Sequence, residues 1–236
     1  MFFDLNIKGS NLENNLMMAR EASRYGWQHI NFSYNQNDFT QALDFKNDLK
    51  NYLSDVISFD YTLEIKSTNV NEIRKVVNKF RNKSLCISVV GGDLKVNRSS
   101  LENVKIDVLS RPYLKRFDSG LNQVLAKEAL RNNVAIELCF KDVLKSYLSY
   151  RSKTISNFRD IYVLYRKFDF PLILSSSAES IFDIRTTHDF VAFFKQTGLS
   201  NAEIEKSFIT SNNILELNKN RDNLMFTGVR RVDNEA

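Results

Sequence analysis

Three groups of residues carry side chains able to do chemistry. The first is Ser175-Ser176-Ser177, which closes the short apolar run 171–174 and leads into Ala178. A serine nucleophile needs a neighbouring base, and in α/β hydrolases it sits in a G-x-S-x-G elbow. The elbow is missing and no His is placed to act as the base, so these hydroxyls are expected to bond loop backbone or phosphate oxygens. The second group is the His and carboxylate set a catalytic metal would need. The chain has 2 His, and neither stands in His-x-His or H-E-x-x-H spacing. His29 lies within an apolar run and is expected as a satisfied, buried or half-buried side chain. His188 lies at a helix start and is expected in its N-terminal cap. Strand-end carboxylates are few, so no metal ligand and no catalytic residue is assigned.

The third group is cationic. Arg111, Lys115 and Arg116 directly follow the run 106–109, Arg185 lies just beyond 171–175, and Arg151 and Lys153 precede a helix. A guanidinium fixed at a strand end can fork two hydrogen bonds to one phosphate, which suits folded RNA backbone. Arg111, Lys115, Arg116 and Arg185, with Ser175 and Ser176, are therefore the candidate RNA contacts. Pairing with Asp118, Asp183 or Asp189 is the competing fate of these cations. No aromatic RNA-recognition motif is visible, so binding would follow shape and phosphate and not base sequence.

Composition sets the frame for these residues. A 236-residue chain with 43% hydrophobic and 26% charged residues is an ordinary globular protein, and 18 Phe with 9 Tyr predict an aromatic-rich core. The net charge of +5 permits nucleic-acid binding without requiring it. Only 2 Pro and 7 Gly argue against long linkers. No apolar run is long enough to span a bilayer, and Asp4 interrupts any signal-peptide pattern, which makes the cytoplasm the expected compartment. Cys86 and Cys139 sit in apolar runs with no zinc spacing and are expected buried and reduced.

The elements that must position the candidate residues alternate from end to end. Strands are predicted at 2–7, 28–33, 57–65, 85–90, 106–109, 134–138 and 171–175. Helical periodicity follows several of them, as in Ile73, Val76, Val77 and Phe80. Ser10 with Glu13, and Ser200 with Glu203, have capping-box spacing. Strand–helix alternation of this kind gives a parallel sheet with outer helices, and no Gly-rich dinucleotide fingerprint follows any strand. The prediction is a TIM-like (β/α) barrel of about seven parallel strands with outer helices. It forms one domain over 1–218, followed by a loosely held tail over 219–236.

Phe3-Asp4-Leu5-Asn6, Ile106 to Ser110, Gly120 to Lys127, Val134 to Leu138, Arg159 to Phe168, Pro171 to Ala178, Asp183 to Arg185 and Gly198 to Ser200 follow one another in an order and spacing that has a known counterpart. The chain resembles the archaeal ribonuclease P protein component 3 family, relatives of a eukaryotic nuclear RNase P subunit. The resemblance implies a barrel shared with the metal-dependent PHP phosphoesterases but lacking their ligand set. Where those enzymes carry His-x-His, this chain has Asp4-Leu5-Asn6. It further implies a protein that supports a catalytic RNA in removing 5′ leaders from precursor tRNA. The implied partners are the RNase P RNA, RNase P protein component 2 as the direct protein partner, and other RNase P proteins, with no cofactor. The alternative is a divergent metal-dependent phosphoesterase of the same barrel class. A third reading is a barrel that binds only protein.

Overall fold

Short, largely buried runs rich in apolar residues pair side by side in chain order. The computed structural model describes residues 2–221 in full, together with the backbone of 224–226 and 229–230. The strands are β1 (Phe3–Lys8), β2 (His29–Tyr34), β3 (Ser58–Ile65), β4 (Cys86–Val90), β5 (Val108–Ser110), β6 (Ala135–Cys139) and β7 (Leu172–Ser175). Every neighbouring pair is parallel, and the sheet order is β1 through β7. The result is a nearly closed α/β barrel, as the alternation predicts. β1 and β7 are joined by single bonds in place of a ladder: Lys8 N–H donates to the Ala178 carbonyl at 2.8 Å, and Ser176 N–H donates to Asp4 Oδ2 at 3.1 Å.

Outer helices cover the sheet. They are α1 (Leu12–Arg24), α2 (Gln36–Asp44), α3 (Lys46–Leu53), α4 (Val70–Phe80), α5 (Leu94–Leu101), α6 (Gln123–Arg131), α7 (Phe140–Leu144), α8 (Leu148–Phe168), α9 (Thr187–Thr197) and α10 (Asn201–Lys219). The main apolar core lies between sheet and helices and is rich in Phe and Tyr. A second apolar cluster fills the barrel itself, where Phe3, Leu5, Cys86, Val108, Ala135 and Ile173 meet Ile214 and Leu215 of α10. α10 thus plugs the N-terminal end of the barrel. There Asn218 donates to Asp107 at 2.9 Å, and Arg81 meets the same carboxylate at 2.6 Å. Both cysteines are free and buried.

Some local expectations fail for visible reasons. Ser10 does not cap α1; its N–H is taken by Asn15 Oδ1, and Asn11 accepts the cap bond from Asn14 N–H instead. The Ser200–Glu203 capping box does form. α9 is capped by Thr186, and His188 stands exposed on the first turn. Arg151 and Lys153 lie inside α8, not before it, because no Gly or Pro interrupts the polar stretch ahead of Phe158 and the helix continues back to Leu148. His29 is buried as expected, with its ring nitrogens 2.8 Å from Ser58 Oγ and Asn31 Oδ1. Beyond α10, Leu224–Phe226 and Val229–Arg230 pair as an antiparallel ribbon. Within the predicted tail, Lys219 ends α10, and the Arg221 guanidinium donates to the Arg81 and Leu85 carbonyls at 2.7 and 3.3 Å; residues 222–223, 227–228 and 231–236 lie outside the described residues.

Candidate functional site

In a βα barrel the C-terminal strand ends build the functional face. Here that mouth is filled by counter-charges of the protein's own. A register shift in β1 between Asp4 and Ile7 turns Asn6 and Lys8 toward the axis. Asn6 Nδ2 donates to both carboxylate oxygens of Glu137, at 3.0 and 3.2 Å. Lys8 Nζ donates to Asn6 Oδ1 at 2.9 Å and to Glu64 Oε1 at 2.5 Å. The Arg111 guanidinium lies 3.6 Å from Glu64 and 3.7 Å from Asp142. Tyr113 donates to Asp142 at 2.8 Å and accepts the Cys139 N–H at 3.1 Å.

The electrostatics follow from this packing. Burial alone would raise the Glu64 carboxyl, but the Lys8 ammonium and then Arg111 hold it below its ordinary value. Burial wins at Asp142, which is raised despite Arg111 and the Tyr113 bond. Burial also pushes Asp4 up to about 7, against hydrogen bonds from Ser176 and Asn6. The mouth does not suit a metal centre. Each of these carboxylates is already bound by a cation or by N–H and O–H donors. Among the described residues no three His, Cys, Asp or Glu side chains stand together as ligands.

The structure divides the candidate residues. Arg111 adopts a left-handed φ of 52° and is buried within the mouth. Ser175, Ser176 and Ser177 are also buried. Ser175 Oγ lies 3.4 Å from Cys139 Sγ, and Ser176 Oγ accepts the Ala178 N–H at 3.1 Å. In this conformation their hydroxyls face protein, not solvent. Lys115 is exposed. Arg116 forks onto Asp118 at 2.5 and 2.9 Å and donates to the Gly92 carbonyl at 3.1 Å. Arg185 does not pair with Asp183. It donates to the Phe182 and Ile184 carbonyls at 2.6 and 3.0 Å, while Asp183 takes Lys145 at 3.3 Å.

Residues 111–120, between β5 and α6, are a pinned hairpin of coil. Asn97 Nδ2 donates to the carbonyls of both Pro112 and Gly120, at 3.0 and 2.9 Å. Gly120 has φ 68°, and a Cβ there would sit 2.0 Å from the Pro112 oxygen, so only glycine closes this neck. The pinned loop separates two grooves of about 730 and 530 Å³. The larger runs between the loop and the start of α8 and is lined by Lys115, Arg116, Phe117, Tyr150, Lys153 and Asn157, among others. Its two exposed aromatics had no pattern to announce them. Phe117 sits inside a charged stretch, which is the one available sign.

Comparison with known proteins places this geometry. A family model described as RNase P subunit p30 matches residues 1–223. Ribonuclease P protein component 3 of Methanothermobacter thermautotrophicus is 41% identical over 97% of this chain and 94% of its own length. A chain of the cryo-EM structure of archaeal ribonuclease P with mature tRNA superposes with TM-score 0.84 at 30% identity, over 99% of each chain. Histidinol phosphate phosphatase of Lactococcus lactis, solved with zinc, L-histidinol and phosphate, matches with TM-score 0.59 at 10% identity, over 84% of this chain and 94% of that one; it shares the fold alone. With the family model spanning the whole barrel and a relative aligned nearly end to end, the chain belongs to the RNase P subunit p30 family.

Proposed function

We propose that this chain serves as a protein subunit of ribonuclease P, supporting the RNA that removes 5′ leaders from precursor tRNA, and supplies no catalytic residue itself. The observation that carries the reading is the end-to-end likeness to a chain of archaeal ribonuclease P. The mouth supports the second half of it. Lys8 and Arg111 stand among Glu64 and Asp142, where a barrel hydrolase would need open carboxylates and a bound ion. The serines have no base.

On this reading the partners are the RNase P RNA, RNase P protein component 2 and the other RNase P proteins, in the cytoplasm. Among the described residues no helix is long and apolar enough to cross a membrane. Lys115, Arg116 and Arg185 contact phosphate directly. Arg111, Ser175 and Ser176 act from beneath, shaping the two loops that carry those cations. The test is precursor-tRNA cleavage by the purified chain, first alone with magnesium and then with the RNA and partner proteins. Cleavage is expected only in the complex. Robust cleavage by RNA-free protein would overturn the reading.

A further inference from the structure

The groove of about 730 Å³ beside α8 combines features that phosphate binding alone does not require. Phe117 is 92% exposed and Tyr150 79% exposed, and both line it. Two exposed aromatic faces on one groove make an apolar patch of the kind that marks an interaction site, where a single exposed ring would not. Lys115 and Lys153 line the same groove and form no salt bridge among the described residues. The lining carboxylate Asp142 is buried against Tyr113 and Arg111, and Asp118 at the rim is forked by Arg116. The open charge of the groove is therefore positive.

A separate observation comes from the groove wall. Asn157 is 2% exposed, and its buried Oδ1 has no hydrogen-bond partner. A buried carbonyl oxygen without a donor is costly and rare in a folded protein. Asn157 lines the cavity, and because its Oδ1 is itself shut off from solvent, turning the amide about its Cβ–Cγ bond is what brings that acceptor to an N–H supplied by a ligand.

Two π-faces, two unpaired ammonium groups and one orphaned acceptor match the chemistry of a nucleotide pulled out of its stack. Bases stack on Phe and Tyr rings, phosphates attract Lys, and a base edge offers amino N–H donors. A cavity of this size lies within the range that holds small ligands. We propose that this groove binds an unstacked nucleotide of the ribonuclease P RNA. The base lies against Phe117 and Tyr150, its edge meets Asn157, and the adjoining phosphates meet Lys115 and Lys153. The inference rests on the subunit reading above and adds a base contact to it.

The probe is the ribonuclease P RNA of the same source, titrated with the full-length chain at several salt concentrations. Phe117→Ala and Tyr150→Ala should each weaken binding about 5- to 150-fold, the range of one stacked base, while leaving the salt slope unchanged. Phe117→Trp should bind as wild type. Lys115→Ala and Lys153→Ala should each shallow the slope of log K against log salt by about 0.7–1. Melting temperatures should hold for the two exposed aromatics, which excludes misfolding. Aromatic variants binding within two-fold of wild type would overturn the groove, even where wild type stimulates cleavage in the complex and the subunit reading stands. Loss of RNase P protein component 2 binding in the same variants without RNA, with RNA affinity intact, would make the groove a protein interface and overturn it equally. Failure of wild-type chain to stimulate cleavage at all would bring down the subunit reading and this inference together.

Discussion

At the scale of residues, the barrel mouth is a set of charges held in check. Glu64 is stable as an anion because Lys8 and Arg111 face it. Removing one member of a buried pair leaves the other uncompensated. Lys8 keeps 19% of its side-chain exposure, so Lys8→Met should cost about 2–4 kcal/mol, somewhat less than a fully buried pair. The double variant Lys8→Met with Glu64→Leu should recover part of that loss in urea unfolding. Additive losses would mean the two residues are not coupled. Asp4 gives a pH signature. Its carboxyl is pushed up to about 7, against about 3.9 in the unfolded chain. The folded state therefore holds this proton more tightly. Stability from Asp4 is complete below about pH 4 and is lost as pH rises through about 7. Glu179 and Glu203, held at about 2 by Lys141 and Arg166 respectively, act oppositely and lose their contribution only as pH falls below about 4.5. Asp4→Asn cannot lose a proton, so its melting temperature relative to wild type should climb from pH 4 to pH 7. A flat difference across that window would remove Asp4 as the titrating group. Which cations stand at strand ends could be narrowed from sequence to a handful, since strand-end position is legible. Their partners could not, because Arg111 turning inward depends on a left-handed backbone and on Glu64, 47 residues earlier.

At the scale of elements, the strands were plain to read because buried parallel strands are short, apolar runs without the ambiguity of half-exposed ones. Predicted and observed bounds differ by a residue or two. Helix ends were harder, as the choice among neighbouring Ser and Asn caps turns on a single competing bond. Ser10 lost to Asn11 because Asn15 reaches back to the Ser10 N–H. Where the box does form, it should be measurable. Ser200→Ala removes the bond to Glu203 N–H and should cost about 0.5–2 kcal/mol of unfolding free energy. An unchanged stability would mean that Arg166, which grips Glu203 at 2.7 Å, holds the end of α10 without the cap. The extent of α8 escaped because its first half has no apolar period. That half is the wall of the larger groove, so missing it also hid Tyr150 and Asn157.

At the scale of the whole molecule, the chain shares its fold with barrel enzymes, and fixed ion pairs occupy the mouth of the barrel. Alternation alone carried the barrel, and the quoted motifs carried the family. The ion pairs of the mouth could not be read in advance, since they arise from side chains on β1, β3, the loop after β5 and α7 meeting across the axis. The central claim is that this barrel contributes to tRNA processing through RNA and partner proteins and not through a reaction of its own. The most direct measurement is the single-turnover rate of 5′-leader removal by the ribonuclease P RNA with its other proteins, across magnesium concentrations, with this chain present or omitted. The account predicts faster cleavage at a lower magnesium requirement when the chain is present, retained in variants of Ser177 and the other mouth hydroxyls that fold normally. Identical magnesium profiles with and without the chain, or leader removal by the chain in the absence of RNA, would contradict it.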